Sequence, residues 1–284
     1  MTISTTTTLN DLLPSIVAEA LFVASERSIM RQLVKNYSIG PSSGKTITVP
    51  IYPLQTAYSL SEGGDLTANA VSTSGATLTV SEVGVMTRVT DLARISSASN
   101  VVADVGRLFG EAIARKMDLD LTAKFSEFTT NLLGNASAAS ATIAASDIFK
   151  AVAKLSSAGV PTSDVYCVLH PRIAYDLKAN LTNTYANPNA GVIQNEAMAM
   201  GYVGMLAGVP IFETSNITSQ TSADDFTGGV FHRDALGLAM MQDIKIETQR
   251  DASLRADEIV ATAIYGVGTV YEAYGVALGF DSTI

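Results

Sequence analysis

The stretch that decides the fold is Asn100-Val-Val-Ala-Asp-Val-Gly-Arg-Leu-Phe-Gly-Glu-Ala-Ile-Ala-Arg-Lys-Met-Asp-Leu-Asp120. Its apolar residues recur at spacings of three and four, Leu108 and Ala112 among them, which predicts one amphipathic helix over residues 100–128. We call this segment the spine helix. Its flanks are charged, and Glu111 with Arg115 and Asp120 with Lys124 have the spacing of favourable ion pairs.

A segment with a different period precedes the spine helix. Residues 46–52 and 76–85 alternate polar and apolar side chains, as strands do, and residues 61–74 between them are small, polar and rich in turn formers. The sequence therefore predicts a long β-hairpin over residues 45–92. Because a two-stranded hairpin is marginal in water, we expect this subunit to fold fully only beside its neighbours.

The other elements follow from similar patterns. A helix is predicted over residues 14–34, and residues 134–145 form an Ala- and Ser-rich linker that suggests a domain boundary. Beyond the linker, helix and strand alternate. Asp147 is predicted to cap one helix and Pro171 to open another, with strands over residues 165–169, 209–213, 230–232, 236–241, 244–249, 259–267 and 270–278.

Composition excludes several classes of protein. A chain of 284 residues, 47% of them hydrophobic, can bury a large core in one or two domains. The net charge of −9 disfavours a protein that binds nucleic acid by neutralising phosphates. The one cysteine, Cys167, cannot form an internal disulfide, which is typical of a reducing compartment. No apolar run approaches the roughly 20 residues of a membrane span, so neither export nor anchoring is expected.

Candidate chemistry is scarce. Gly40-Pro-Ser-Ser-Gly-Lys-Thr46 looks like a phosphate-binding loop but is one residue short between its glycines, and it follows a helix instead of a strand. His170 and His232 have no second ligand at metal-binding spacing. Asp118 and Asp120 point about 200° apart around a helix, so they cannot share a metal. We predict no catalytic residue, cofactor or metal, and a structural role.

Four stretches carry a family resemblance. They are residues 106–120 of the spine helix, Val168-Leu-His-Pro-Arg172, Gly204-Met-Leu-Ala-Gly-Val-Pro-Ile-Phe212 and Gly229-Val-Phe-His-Arg-Asp-Ala-Leu-Gly-Leu-Ala239. In this order the chain resembles the major capsid proteins of tailed bacteriophages, with the Hong Kong 97-type fold. The resemblance implies an α+β fold with an N-terminal arm (1–40), an extended hairpin or E-loop (41–92), a peripheral domain on the spine helix (93–145, completed by about 244–284) and an α/β axial domain (146–243).

The resemblance also implies a function. Such a chain is a major capsid protein that self-assembles into hexamers and pentamers of an icosahedral phage head around double-stranded DNA. It would be assembled in the host cytoplasm and reside in the virion. Its other partners would be separate scaffolding, portal or decoration proteins. The DNA would be enclosed without sequence-specific binding, and no membrane would be involved.

Two features of the sequence depart from some relatives. No fused scaffolding domain is expected before the arm. Some relatives crosslink covalently through an E-loop lysine, but residues 46–87 contain none, so no crosslink is expected. Two alternatives stay open: the shell protein of an encapsulin-like bacterial nanocompartment, which shares the fold and encloses enzymes, and a cytosolic α/β enzyme with its site in the loops of residues 180–208.

Charge predicts what the hairpin contacts. Residues 46–87 contain no Lys or Arg, and their charged residues are Glu62, Asp65 and Glu82. The spine helix displays the basic residues Arg107, Arg115, Lys116 and Lys124. We therefore predict inter-subunit contacts in which the acidic tip of the hairpin lies over the spine helix of a neighbour. The alternative is that these acids only keep a mobile loop soluble.

Overall fold

Two β-sheets, a two-stranded hairpin and four α-helices make up the described part of the chain. The computed structural model describes residues 28–40, 44–52, 57–60, 62–63, 65, 71–92, 101–134, 142–185, 204–219 and 224–284. Among these residues, no helix has the length and apolar character needed to cross a membrane.

The helices follow the apolar patterns of the sequence. They are α1 (Met30–Leu33), α2 (Val101–Thr122), α3 (Ala145–Ser157) and α4 (Pro171–Tyr185), and a 3₁₀ turn (Ala123–Glu127) extends α2. The predicted spine helix is thus confirmed. Of the helix predicted over residues 14–34, positions 14–27 lie outside the described residues. Asp147 is the third residue of α3 and not its cap, and its carboxylate accepts the N–H of Ala144 at 3.0 Å.

The buried face of α2 matches the predicted stripe except at two positions. Val105, Phe109, Ile113, Met117 and Leu121 are buried, one helical turn apart. Leu108 is 62% exposed, and Ala112 is exposed as well, although both were predicted to belong to the apolar face. Spacings of three and four residues are compatible with either Leu108 or Phe109 in the buried face. The sheet packed against α2 determines that Phe109 is the buried residue.

The strands fall into three sheets. They are β1 (Lys35–Ser38), β2 (Thr46–Ile51), β3 (Ser74–Thr79), β4 (Ser81–Thr90), β5 (Leu132–Gly134), β6 (Val165–Leu169), β7 (Met205–Leu206), β8 (Val209–Glu213), β9 (Asp225–His232), β10 (Leu236–Asp251), β11 (Ala256–Thr269) and β12 (Gly275–Asp281). One sheet has the order β1-β10-β11-β4, the second β5-β12-β9-β6-β8-β7, and β2 pairs with β3 alone.

The four-stranded sheet packs one face on α2. Ile259, Ala261, Ala263 and Tyr265 of β11 alternate inward toward the helix, and the half-buried Val85 of β4 lies on the same face. The predicted strands 236–241 and 244–249 are one strand, β10. Its register shifts between Met240 and Lys245, and these irregularities interrupt the alternation seen in the sequence.

The six-stranded sheet shares one continuous core with the rest of the body. The ring centroid of Phe125 at the end of the spine lies 5.4 Å from that of Phe231 of β9, Phe128 belongs to the same buried cluster, and α3 packs against β9 and β12. The chain passes between the two sheets through α2, which lies between β4 and β5, and through 3₁₀ turns at Arg233–Ala235 and Glu272–Tyr274. The second turn lies inside the strand predicted over residues 270–278, so that strand begins only at Gly275.

Strand pairing cuts across the predicted domain boundaries. β5 and β12 come from segments assigned to the peripheral domain, yet both lie in the sheet formed mainly by residues 165–232. β10 extends across the boundary at residue 243. Which segments form the two domains therefore stays a prediction.

The predicted hairpin is shorter than expected. β2 pairs with β3 from Thr46 opposite Thr79 to Ile51 opposite Ser74. The strand predicted over residues 76–85 is in fact two strands, because the chain changes partner at Val80 and β4 pairs with β11. The N–H of Val80 donates to the carbonyl oxygen of Lys45 at 2.9 Å. The alternation shifts by one position here, because apolar residues at 76, 78 and 80 are followed by the polar residues Ser81 and Glu82 and then by apolar residues at 83 and 85. The single strand predicted over residues 76–85 does not take this shift into account.

Candidate assembly interface

The base of the β2–β3 hairpin is fixed on the four-stranded sheet. Leu78 is buried in a small apolar cluster with Ile39, Val80 and Ala239, separate from the main core. A Cβ on Gly266 of β11 would lie 2.2 Å from the carbonyl oxygen of Thr79. Only glycine allows the two backbones to approach so closely. The body of the subunit thus holds the hairpin at its base.

The distal part of the hairpin presents apolar side chains to solvent. Tyr52, Tyr58, Leu60 and Val71 are each more than half exposed in the described part of the chain. We call these four residues the hairpin patch. Exposed aromatic and aliphatic side chains that cluster on one segment are typical of a protein interface.

The three predicted acids lie in two places. Glu62 and Asp65 are exposed near the tip of the hairpin, and Glu62 lies in a turn. Glu82 lies on β4, opposite Ile264 of β11, and therefore belongs to the four-stranded sheet and not to the hairpin. Glu62 and Asp65 are the charges that lie nearest the hairpin patch in sequence.

The four predicted basic residues differ in whether they are already engaged by other groups of the same subunit. The ammonium of Lys116 lies 2.6 Å from Asp120, and that of Lys124 lies 2.6 Å from Glu127. Arg107 is also engaged by another group. Among the described residues, Arg115 has no ion-pair partner, and it is exposed.

The ion pairs predicted on the spine are therefore wrong. Lys124 pairs with Glu127 and not with Asp120. Asp120 accepts the hydroxyl of Tyr265 at 2.9 Å, so its carboxylate points toward the sheet, where Lys116 reaches it. Burial and this hydrogen bond raise the pKa of Tyr265.

Other chemistry-bearing residues have structural contacts. The ring of His170 stacks on Phe226 with centroids 3.7 Å apart, and burial lowers the pKa of this histidine. His232 accepts the N–H of Asp234 at 3.2 Å. Cys167 is buried, which raises the pKa of its thiol. Among the described residues no group of three or more His, Cys, Asp or Glu is placed to hold a metal.

One cavity of about 290 Å³ lies between α3 and the β7–β8 hairpin. Its lining, which includes Val152, Leu155 and Val209, carries no titratable side chain. The loops that the enzyme alternative invoked, and the centre of the phosphate-loop-like segment, lie largely outside the described residues. The described chain therefore offers a contact surface as its candidate functional site.

Two features of this interface escaped the sequence-based reasoning. Gly266-Val-Gly268 within a strand pattern is a recognised sign of close backbone approach, and it marks where the hairpin docks. Asp118 lies four residues after Ala114 and three before Leu121, which places it on the buried face of α2. An acid at such a position signals a buried polar contact.

The comparisons with known proteins agree with this architecture. A model of the phage capsid protein family matches residues 74–278. The capsid of cyanophage P-SCSP1u is 19% identical over 90% of this chain and 89% of that chain, with a TM-score of 0.70. A chain of Mycobacterium phage Che8 is 22% identical over 84% and 85%, with a TM-score of 0.65. The capsid of a native GTA particle is 13% identical over 90% and 91%, with a TM-score of 0.67. No curated protein sequence matches.

The fold is thus that of phage capsid chains. Because the family match covers most of its length, the chain belongs to the phage capsid protein family, as a major capsid protein of the tailed-phage type. Its role is structural, in the virion shell. The match favours this function over an encapsulin-like shell protein or an enzyme.

Proposed function

We propose that this capsid protein assembles as hexamers and pentamers into an icosahedral head around double-stranded DNA, with each hairpin lying on the spine helix of a neighbour. The observation that carries the proposal is the hairpin patch, whose four side chains are exposed in the segment that joins β2 to β3, a strand pair with no third strand among the described residues. An isolated pair of strands is marginal in water, so a second copy that covers the patch stabilises the hairpin.

The spine helix offers a complementary strip. Leu108, Ala112 and Arg115 are exposed at spacings of four and three, so they lie on one face of α2. We call these three residues the spine strip. The spine strip combines apolar surface with a neighbouring positive charge. The hairpin combines the apolar residues Tyr58 and Leu60 with the nearby negative charges of Glu62 and Asp65. This arrangement predicts apolar contact that excludes water, with charge pairs at the rim.

The remaining assignments rest on the family. The four-stranded sheet with α2 corresponds to the peripheral domain, and most of the six-stranded sheet to the axial domain. The other partners of this capsid protein are scaffolding, portal and decoration proteins, and assembly takes place in the host cytoplasm. The net charge of −9 suits a container, because a shell under DNA pressure gains nothing from binding its contents tightly.

Electron microscopy tests the proposal. Purified wild-type protein at high concentration should form closed shells in negative stain. A variant that lacks residues 57–74 removes most of the hairpin patch and both tip acids but leaves the docked base in place. It should stay folded and fail to close shells. Shells of normal size from the deletion variant would contradict the role given to the hairpin.

Charge reversal tests the partner of the tip. Replacing Glu62 and Asp65 by Lys should weaken assembly, since each exposed pair contributes about 0.2–1 kcal/mol and a shell repeats it in every subunit. Adding Arg115→Glu should restore part of the assembly. The matched control is Lys116→Glu, which should restore less because Lys116 already pairs with Asp120. If the Glu62 and Asp65 reversal assembles like wild type at low salt, the acids only solubilise the loop.

A further inference from the structure

Three distant segments of the chain meet at Asp118, which has no exposed surface. The hydroxyl of Ser28 donates to its Oδ1 at 2.8 Å, and the backbone N–H groups of Ile29 and Met30 donate to Oδ2 at 3.2 Å and Oδ1 at 3.3 Å. The side-chain amide of Asn216 donates to Oδ2 at 3.4 Å. Asp118 thus accepts from the start of α1 and from the segment after β8.

Thr122, one helical turn further along α2, completes the junction. Its hydroxyl donates to the carbonyl oxygen of Asn216 at 2.8 Å. Asn216 is therefore held at both its side chain and its backbone. The segment around it is ordered further, because the N–H of Thr214 donates to the carbonyl oxygen of Leu169 at 3.1 Å and Ile217 is buried.

An ionisable acid is a costly way to fill this position. Burial raises the pKa of Asp118, and the hydrogen bond from Ser28 is the largest of the effects that oppose this shift. An apolar side chain would fill the space, but it would leave buried donors of Ile29, Met30 and Asn216 without acceptors. The carboxylate therefore specifies where these segments lie, in addition to packing α2.

We propose that Asp118 is a positioning residue that fixes the segment of residues 28–30 on the spine helix and couples it to the segment Thr214–Ile217. A change that loosens one segment loosens the other through the shared carboxylate. Any effect on shell formation rests on the proposed function, whereas the coupling is a property of the subunit alone.

Hydrogen exchange measured by mass spectrometry on the unassembled subunit tests the coupling. Asp118→Asn keeps the shape but places an amide NH₂ where donors converge. Exchange should rise about tenfold or more in both residues 28–33 and residues 214–217, since each lost buried hydrogen bond costs about one factor of ten. The matched control is Asp104→Asn, an exposed carboxylate on the same helix, which should behave like wild type.

Two further variants test the coupling without changing Asp118 itself. Thr122→Val removes only the hydroxyl that holds Asn216. It should raise exchange in residues 214–217 and, by a smaller factor, in residues 28–33. If Asp118→Asn does not fold, Ser28→Ala decides, with an expected rise of a few-fold in residues 28–33 and a smaller rise in residues 214–217.

Two results would overturn the proposal. One is wild-type protection of either residues 28–33 or residues 214–217 in the folded Asp118 variant or, where that variant does not fold, in Ser28→Ala. The other is a uniform rise that includes β9 and β12, which is what a purely structural role in the core predicts. Electron microscopy of the same preparations reports shell formation separately, so a failure of wild type to form shells counts against the proposed function and not against the coupling.

Discussion

Replacing Leu78 by Ala tests how the hairpin is held on the subunit. Leu78 is 1% exposed and lies with Ile39, Val80 and Ala239 in a cluster separate from the main core. Buried Leu→Ala substitutions cost about 2–5 kcal/mol, depending on how far the site can collapse. Half-buried Ile47 can partly refill this shallow site, so we expect a loss of about 2–3 kcal/mol.

The loss should be local. Because the cluster is separate from the main core, the substitution weakens the docking of β2 and β3 more than the fold of the body. Amide exchange in β2 and β3 should accelerate by about 30- to 150-fold, which is the same free energy expressed as an opening equilibrium. Hydrogen exchange with mass spectrometry on unassembled subunits measures this. The matched control is Leu254→Ala, at the exposed turn between β10 and β11.

Two outcomes would refute this reasoning. If exchange rises equally in α2 and in the six-stranded sheet, Leu78 belongs energetically to the main core. If β2 and β3 are unprotected in wild type, or unchanged in the variant, the cluster does not hold the hairpin. In either case the close approach at Gly266 would need another explanation.

Three further predictions concern other residues. Gly266→Ala should also detach the hairpin and raise exchange in β2 and β3, because the new Cβ would meet the carbonyl oxygen of Thr79. Hydrogen bonds from Thr130 lower the pKa of Glu272, so its stabilising effect is present above the ordinary value of 4.5 and is lost as the pH falls below it. The difference in thermal midpoint between wild type and Glu272→Gln should therefore shrink on acidification. Denaturing electrophoresis of mature particles should show one band at the monomer mass, since residues 46–87 contain no lysine, and a ladder would contradict this.

The sequence predicts the fold where local pattern and tertiary packing agree. The spine helix shows this, since Val105, Phe109 and Ile113 repeat at one helical turn and meet the core. The hairpin shows the opposite case. The alternation shifts by one position at Ser81 and Glu82, which marks the end of β3, but no local signal shows that β4 pairs with β11 instead of β2. The placement of β12 in the six-stranded sheet likewise depends on non-local pairing that no local pattern records.

The charged residues of the proposed contact can be named from the sequence, but their pairing within the subunit cannot. Counting charges identifies Glu62, Asp65 and the basic spine residues. It does not show that Lys116 is already paired, because Asp120 is turned by Tyr265, which is 145 residues away in the chain. The exposure of Leu108 escaped for a related reason. When the apolar stripe of a helix is wider than the sheet that covers it, one edge of the stripe stays exposed to solvent. The width of the covering sheet cannot be judged from the sequence of the helix.

Cysteine crosslinking between two differently labelled subunits tests the central claim, that the hairpin of one copy lies on the spine helix of another. Glu62→Cys and Arg115→Cys subunits are co-assembled and treated under native conditions with a short bis-maleimide, which spares Cys167 because that thiol is buried. The mixture should give a crosslinked band at twice the monomer mass. Shells of either variant alone should give little of this band, and so should shells that combine Glu62→Cys with the control variant Leu254→Cys. Intact mixed shells without that band would contradict the account.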